Sequence, residues 1–466
     1  MVTTTAHMAS RIVGIALVAW LAAAMSGWAD HAPGAFVRRS GTHFLLDRQR
    51  VYYLGANCYY LAYFAQDTNV AVGAQTWRDM ADEVLTRSRS LGVRVIRIWA
   101  FNEDDRGEFA APHGDWRLQT APGAYREAAL RGLDYVLDKA NQLDLFVVPV
   151  LVNNWDDYGG MRWYVTNSPT ATGTHDAFYT DAYCRQWFRN HVSTLVSRTN
   201  SINGRVYGRD PTIFGWQLAN EPRCAPGAAL TNWVYQTAAF IKSIDTNHMV
   251  STGEEGWYPE WLGNAACSNV DYTVIHCWPD WWWSGGGGTL YSNAMDWVAD
   301  HVQDSALVGK PIVLSEYGRR RPPSGPPLDG LYGRNQFYQG WFDLIYNSAA
   351  ADGPAAGMHF WMMEADNAGH NDDVGSVFSW DTSTMQLLSG EAAAFNTLIA
   401  PEIDAFTALP GGMRLRWSGV VGGPAYRVET SDDLSQWDGL DVGRTNEWTD
   451  TTASTLRRFY RVVPVY

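Results

Sequence analysis

Leu145-Phe146-Val147-Val148-Pro149-Val150-Leu151-Val152 is eight residues without one polar side chain. It follows 125–143, where apolar residues recur at helical spacing. A strand this apolar is covered on both faces, as in a parallel sheet under helices. The same alternation recurs along the chain. Further β-rich runs lie at 51–56, 93–99, 212–218, 248–252, 272–276, 311–315 and 356–361. Helical patterns fill 77–91, 177–198, 232–244, 291–308 and 334–350, with a short candidate at 258–264. Eight strands alternating with helices predict a closed (β/α)8 barrel of the TIM type. An open doubly wound sheet is the runner-up, but no Gly-x-Gly-x-x-Gly turn follows the first strand.

The segment 36–50 reads as a hairpin, with Ser40-Gly41 as one turn, closing the bottom of the barrel. A last helical pattern covers 381–398, so the catalytic barrel is expected over 30–400. Residues 401–466 change character, with short alternating runs and the breaks Gly411-Gly412 and Gly422-Gly423-Pro424. They predict a small β-sandwich. Tyr426-Arg427-Val428-Glu429-Thr430-Ser431 and Phe459-Tyr460-Arg461-Val462 resemble the fibronectin-like tail modules of exported bacterial enzymes, which implies spacing ahead of surface attachment or sugar binding. At the other end, Arg11 precedes an apolar run from Ile12 to Ala24, and Gly27-Trp28-Ala29 offers small residues for a peptidase. Residues 1–29 therefore read as a signal peptide, the alternative being an uncleaved anchor. The mature protein is then expected outside the membrane, secreted or periplasmic or at the cell surface.

Of the 466 residues 23 are tryptophan, and the net charge is −14. Indoles in surplus line grooves in which sugar rings stack by their apolar faces. The negative charge and the lack of a basic run exclude a nucleic-acid partner and favour a neutral substrate. Export permits disulfides, and Cys267 and Cys277 could pair across a short loop, but five cysteines leave at least one thiol over. No spacing suits zinc.

Barrel active sites sit at the C-terminal ends of the strands. There the chain places Arg97 and Trp99, then Asn153 and Trp155, then Asn220-Glu221-Pro222-Arg223. Gly253-Glu254-Glu255-Gly256, His276-Cys277-Trp278, Glu316 and Trp361 follow on strands five to eight. Cleavage of a glycosidic bond needs one protonated and one ionised carboxyl flanking the anomeric carbon. Glu221 and Glu316, ending strands four and seven, are the expected acid/base and nucleophile, and a gap of about 5–5.5 Å would make the enzyme retaining. Arg97 is expected to hold Glu316 ionised, and an enclosed pocket to raise the pKa of Glu221. Carboxylates supply the chemistry, so neither cofactor nor metal is expected.

These residues resemble glycoside hydrolase family 5 of clan A. Arg97-Ile98-Trp99-Ala100-Phe101-Asn102, Leu218-Ala219-Asn220-Glu221-Pro222-Arg223-Cys224 and Gly253-Glu254-Glu255-Gly256 are similar to its endo-β-1,4-mannanases. So are the stretches 152–160 and 310–316. The resemblance implies a retaining enzyme, expected as a monomer, that cleaves internal β-1,4-mannosidic bonds in mannan, glucomannan or galactomannan. Another family 5 β-glycanase, an exo-β-mannosidase, a transglycosylase and a non-catalytic carbohydrate binder are the alternatives. It also implies that Asn220 binds the 2-hydroxyl of the sugar at the scissile bond, with Trp361 under that sugar and His276 beside it. Trp155, Arg223, Glu255 and Trp282 match positions lining neighbouring subsites. One departure stands out: two residues after His276 the family has a tyrosine that donates to the nucleophile, and this chain has Trp278. Trp281-Trp282-Trp283-Ser284 followed by four glycines reads as an aromatic flap on a flexible hinge, the alternative being a packed loop corner.

Overall fold

The computed structural model describes residues 34–47, 49–66, 71–72, 75–104, 115–322, 324–368 and 375–398, together with six strands between 403 and 465. The segment 1–29 read as a signal peptide lies outside them.

Eight strands form one wholly parallel sheet. They are β1 (Tyr53–Asn57), β2 (Val95–Trp99), β3 (Phe146–Val150), β4 (Gly215–Gln217), β5 (Met249–Ser251), β6 (Thr273–Cys277), β7 (Ile312–Tyr317) and β8 (Ala355–Phe360). Their ladder order is 5-4-3-2-1-8-7-6. No ladder joins β5 to β6. Single bonds span that seam instead, Asp271 N–H to Val250 O (2.8 Å) below and His276 N–H to Glu255 O (3.1 Å) above. The ring is thereby all but closed, as the eight-run count predicts.

A helix follows each strand: α1 (Trp77–Ser90), α2 (Glu127–Gln142), α3 (Ala182–Ser197), α4 (Gly227–Ile244), α5 (Glu260–Ala265), α6 (Gly287–Val308), α7 (Arg334–Ala350) and α8 (Thr382–Phe395). Their ends obey local chemistry. Thr76 and Asp79 form a reciprocal capping box at the start of α1. Asp181 accepts from the Cys184 N–H to start α3, and Gly309 ends α6 in the left-handed region. Helix α1 buries Trp77, Met80, Ala81, Val84, Leu85 and Ser88, one stripe at three- and four-residue spacing.

The barrel is filled from below by rings. Phe44 meets Phe214 and Tyr272 edge-on, at 5.0 and 5.3 Å, and Tyr53 lies against Phe214 at 5.3 Å. Higher up, large and small residues alternate between β1 and β8, where Tyr53 pairs with Gly357 and Gly55 with His359. A Cβ at Gly55 would lie 2.2 Å from the His359 ring, so only glycine admits that imidazole to the interior. Three short strands, Arg38–Ser40, His43–Leu46 and Gln49–Val51, replace the single hairpin expected before β1. Two turns, not one, break that segment.

The C-terminal unit holds six strands in two three-stranded antiparallel sheets. Gly412–Trp417 pairs with Ile403–Leu409 and Glu447–Asp450, and Ala425–Ser431 pairs with Asp438–Gly443 and Phe459–Val465. Leu415 and Val428, one from each sheet, are buried. The five cysteines are free thiols, all buried except the half-buried Cys224, so the suggested Cys267–Cys277 bridge does not form. Among the described residues no helix is long and apolar enough to cross a membrane.

Candidate active site

The upper rim of the barrel encloses a cavity of about 440 Å³. Trp99, Asn153, Trp155, Asn220, Glu221, Arg223, Glu255, Trp278, Trp282, Glu316 and Trp361 line it, as does Trp281. Arg97 and His276, the two other residues singled out in the sequence, hold the carboxylates from beneath.

Arg97 is the hub. It points up inside the barrel from β2, 1% exposed. Its Nη1 donates to Glu316 Oε1 (2.5 Å) and to Asn57 Oδ1 (3.1 Å), its Nε to Gln217 Oε1 (2.7 Å) and its Nη2 to Asn220 Oδ1 (2.7 Å). A buried guanidinium is tolerable only when its donors are paired in this way. Asn220 then donates from Nδ2 to Asn153 Oδ1 (3.1 Å), which fixes its amide beside the cavity.

Glu316 ends β7 with its second oxygen facing the cavity. Trp278 Nε1 donates to that oxygen, Oε2, at 3.2 Å, so the indole does reach the Glu316 carboxylate. Room for it comes from Gly318, where a Cβ would lie 2.4 Å from Trp278 Cζ3. Trp278 stands edge-on to Trp361 (5.8 Å) and to Trp281 (5.2 Å). Trp361 in turn lies nearly parallel to Tyr59, at 5.8 Å and 14°.

Glu221 follows β4 with φ at +50°, a conformation that costs a non-glycine residue roughly 1–3 kcal/mol. Its N–H donates to Gly253 O (2.9 Å), across a close approach in which a Cβ at Gly253 would lie 1.7 Å from Ala219 O. The side chain is held at both oxygens. Trp155 Nε1 donates to Oε2 at 2.6 Å, and His276 Nδ1 lies 2.8 Å from Oε1. His276 Nδ1 also lies 3.3 Å from Glu316 Oε2, and one ligand atom from each of Glu221, His276 and Glu316 falls within 4.8 Å of the others. Three metal ligands would be similarly spaced. Here, however, the carboxylate oxygens already accept from Arg97, Trp155 and Trp278, whose N–H groups would oppose a cation.

The electrostatics depart from expectation. Burial pushes the Glu221 carboxyl up, but hydrogen bonding and charge from His276, the Trp155 N–H and the Arg223 charge outweigh it and hold it at about 2. The raised acid is instead Glu255, pushed up to about 8 by burial, then by the Glu221 charge. Glu255 pairs with Arg223 Nη2 at 2.5 Å, and the Arg223 guanidinium lies over Trp155 at 4.6 Å. Enclosure alone would raise this carboxyl; the two N–H groups aimed at Glu221 and the Arg223 charge, which the sequence does not reveal, reverse the direction.

The tract read as a flap is a packed corner. Trp282 and Trp283 wedge against Trp257 and Trp297 with ring centroids 5.2 to 6.1 Å apart. Gly287 and Gly288 open helix α6 against the Tyr332 ring. Asn57 and Gln217, which steady Arg97, were not singled out in the sequence. The available signal was a polar side chain at the end of each apolar run.

Residues 34–381 match a family model described as GH family 5 beta-mannosidase-like. Mannan endo-1,4-beta-mannosidase 1 of Arabidopsis thaliana is 33% identical over 80% of this chain and 93% of its own length. The solved endo-1,4-beta-mannanase of Rhizomucor miehei superposes with a TM-score of 0.62 at 28% identity, covering 77% of this chain and 99% of that one. The hyperthermostable endo-1,4-beta-D-mannanase of Thermotoga petrophila gives a TM-score of 0.61 at 29% identity, over 73% and 99%. With barrel, rim and sequence in agreement, this chain belongs to the β-mannosidase-like branch of glycoside hydrolase family 5.

Proposed function

We propose that the chain is a retaining endo-β-1,4-mannanase, with Glu316 as nucleophile and Glu221 as acid/base. The observation that carries this reading is the short gap between two separately held carboxylates, within 4.8 Å at their nearest ligand atoms. That suits direct attack on the anomeric carbon and leaves no room for a water between, as inversion requires. Glu316 Oε2 attacks the anomeric carbon while Glu221 protonates the departing glycosidic oxygen. A glycosyl ester on Glu316 results. Water, deprotonated by Glu221, then attacks the same carbon and frees Glu316.

Both oxygens of Glu221 accept hydrogen bonds in this arrangement, which favours its ionised form, so loss of one donor on substrate binding would help Glu221 carry a proton. Trp155 is the movable one, being 40% exposed and on a loop, whereas His276 is fully buried. Asn220 and Asn153 face the sugar hydroxyls, Trp361 and Trp99 its apolar faces. Arg223, Glu255, Trp278 and Trp282 shape the walls. The relatives' names support β-mannan as the polysaccharide. We also read 1–29 as an export signal, and 401–466 as a sandwich module that serves as a spacer outside the cell.

Reducing-sugar release on mannan, glucomannan, xylan and cellulose tests the substrate. Mannohexaose products test the mode, since release of mannose or mannobiose from one end alone would exclude endo action. Glu221→Ala and Glu316→Ala should each abolish nearly all turnover, and normal turnover in either refutes its role.

A further inference from the structure

Trp380 lies outside the cavity and has no part in the chemistry above. It belongs to the β8–α8 connection, on the same end of the barrel as the cleft. Three residues earlier, Val377 is pinned beside Trp361, its N–H donating to Met362 O at 2.8 Å while Glu364 N–H donates to Val377 O at 3.1 Å. Trp380 is 55% exposed. A single exposed aromatic is ordinary on a protein surface. What needs explaining is its support.

The indole lies flat on Phe378, at 4.6 Å between centroids and 7° between planes. The Arg321 guanidinium lies over the same phenyl ring at 4.8 Å. Arg321 is fixed by Asp381 (2.8 Å), and Asp381 also pairs with Arg334 (3.0 Å) and accepts from the Phe378 N–H (3.1 Å). The intervening Ser379 is tied by its N–H and its hydroxyl to Asp366, at 3.0 and 2.6 Å. Every residue from Phe378 to Asp381 apart from Trp380 is anchored by polar bonds, and Trp380 is anchored by its ring.

We infer that Trp380 is a preformed stacking platform for one hexopyranose ring of a β-linked polysaccharide, a contact point beyond the catalytic cleft. A flat apolar face presented to water at a fixed angle, with little rotamer freedom left to lose, suits the C–H face of a sugar ring. An anionic ligand is less well served, since Arg321, the cation on the same phenyl ring, is already paired with Asp381. That the polysaccharide is β-mannan rests on the activity proposed above.

The test is Trp380→Ala, a surface change that leaves the cleft lining in place and uncovers one face of Phe378. Binding is measured by depletion onto insoluble mannan in a Glu316→Ala background, so that hydrolysis does not consume the support. Turnover is measured separately on soluble mannotetraose and on polymeric mannan. Affinity for the insoluble polymer should fall roughly two- to tenfold, the effect of one aromatic stack. KM on the polymer should rise with it, while kcat and KM on mannotetraose stay put. Unchanged partition onto mannan overturns the inference, as does an equal loss on tetraose and polymer. The depletion result stands whether or not the chain hydrolyses mannan, so the two readings fail separately.

Discussion

Replacing Gly318 by alanine puts the link between Trp278 and Glu316 to a direct test. The backbone at 318 lies outside the left-handed region, so alanine is conformationally acceptable there. The obstacle is space. The new methyl would sit 2.4 Å from Trp278 Cζ3 and 2.9 Å from Cη2. Carbon atoms rest about 3.5–4.0 Å apart, so the ring has to withdraw by about 1 Å. The Nε1–Oε2 distance of 3.2 Å would then pass the limit of a useful hydrogen bond. A bond to a charged acceptor contributes about 1.5–3 kcal/mol, which at the transition state is roughly a ten- to hundredfold loss in kcat. Steady-state kinetics on mannohexaose would show it as a fall in kcat with KM little changed. A control separates mechanism from damage. Trp278→Phe removes the donor and shortens the ring, so adding Gly318→Ala to it should cost little more. Losses that multiply in the double variant, or an unchanged kcat in Gly318→Ala alone, would refute the argument.

Two further outcomes concern protons. Trp155→Phe removes one of the donors that hold Glu221 down, so the pKa of Glu221 rises. The acid then stays protonated to higher pH, and the alkaline limb of kcat/KM in a pH–rate profile should move upward. Glu103, 2% exposed and accepting from Gln119 Nε2 at 3.1 Å, has a carboxyl that burial pushes up to about 8. Its folded pKa exceeds the unfolded value near 4.5, so its contribution to stability is full below that value and is lost as pH rises towards 8. Glu103→Gln should therefore flatten the fall in melting temperature between pH 5 and 8, and a parallel fall in both proteins would refute this reading.

The barrel was legible because its strands are buried on both faces. Runs such as Leu145–Val152 admit no solvent side, and their order fixes where the rim residues emerge. Arg97, Glu221 and Glu316 could be placed for that reason, each at the end of an apolar run. What stayed hidden depends on distances across the rim. The sequence does not say that His276 and Trp155 both reach Glu221, and those contacts, His276 foremost, turn its pKa downward against burial. Nor does a glycine run say whether it is open. Gly287 and Gly288 look like a hinge in sequence and are crowded by Tyr332 in space, a contact set by α6 and the loop before α7. The Cys267–Cys277 proposal failed for a related reason. Cys277 points from β6 beneath α6, towards Ala294 O at 3.9 Å, where no second thiol comes.

The seam between β5 and β6 has consequences for how the molecule tires. Two backbone-to-backbone bonds cross it, Val250 N–H also donating to the Asp271 carboxylate (2.7 Å), and the upper one joins His276 to Glu255, both beside Glu221. Any momentary parting of these neighbours lifts the imidazole away from Glu221 before other strands notice. Warming should then silence the enzyme while its circular dichroism still reads native, and amide exchange at His276 would keep pace with that silence.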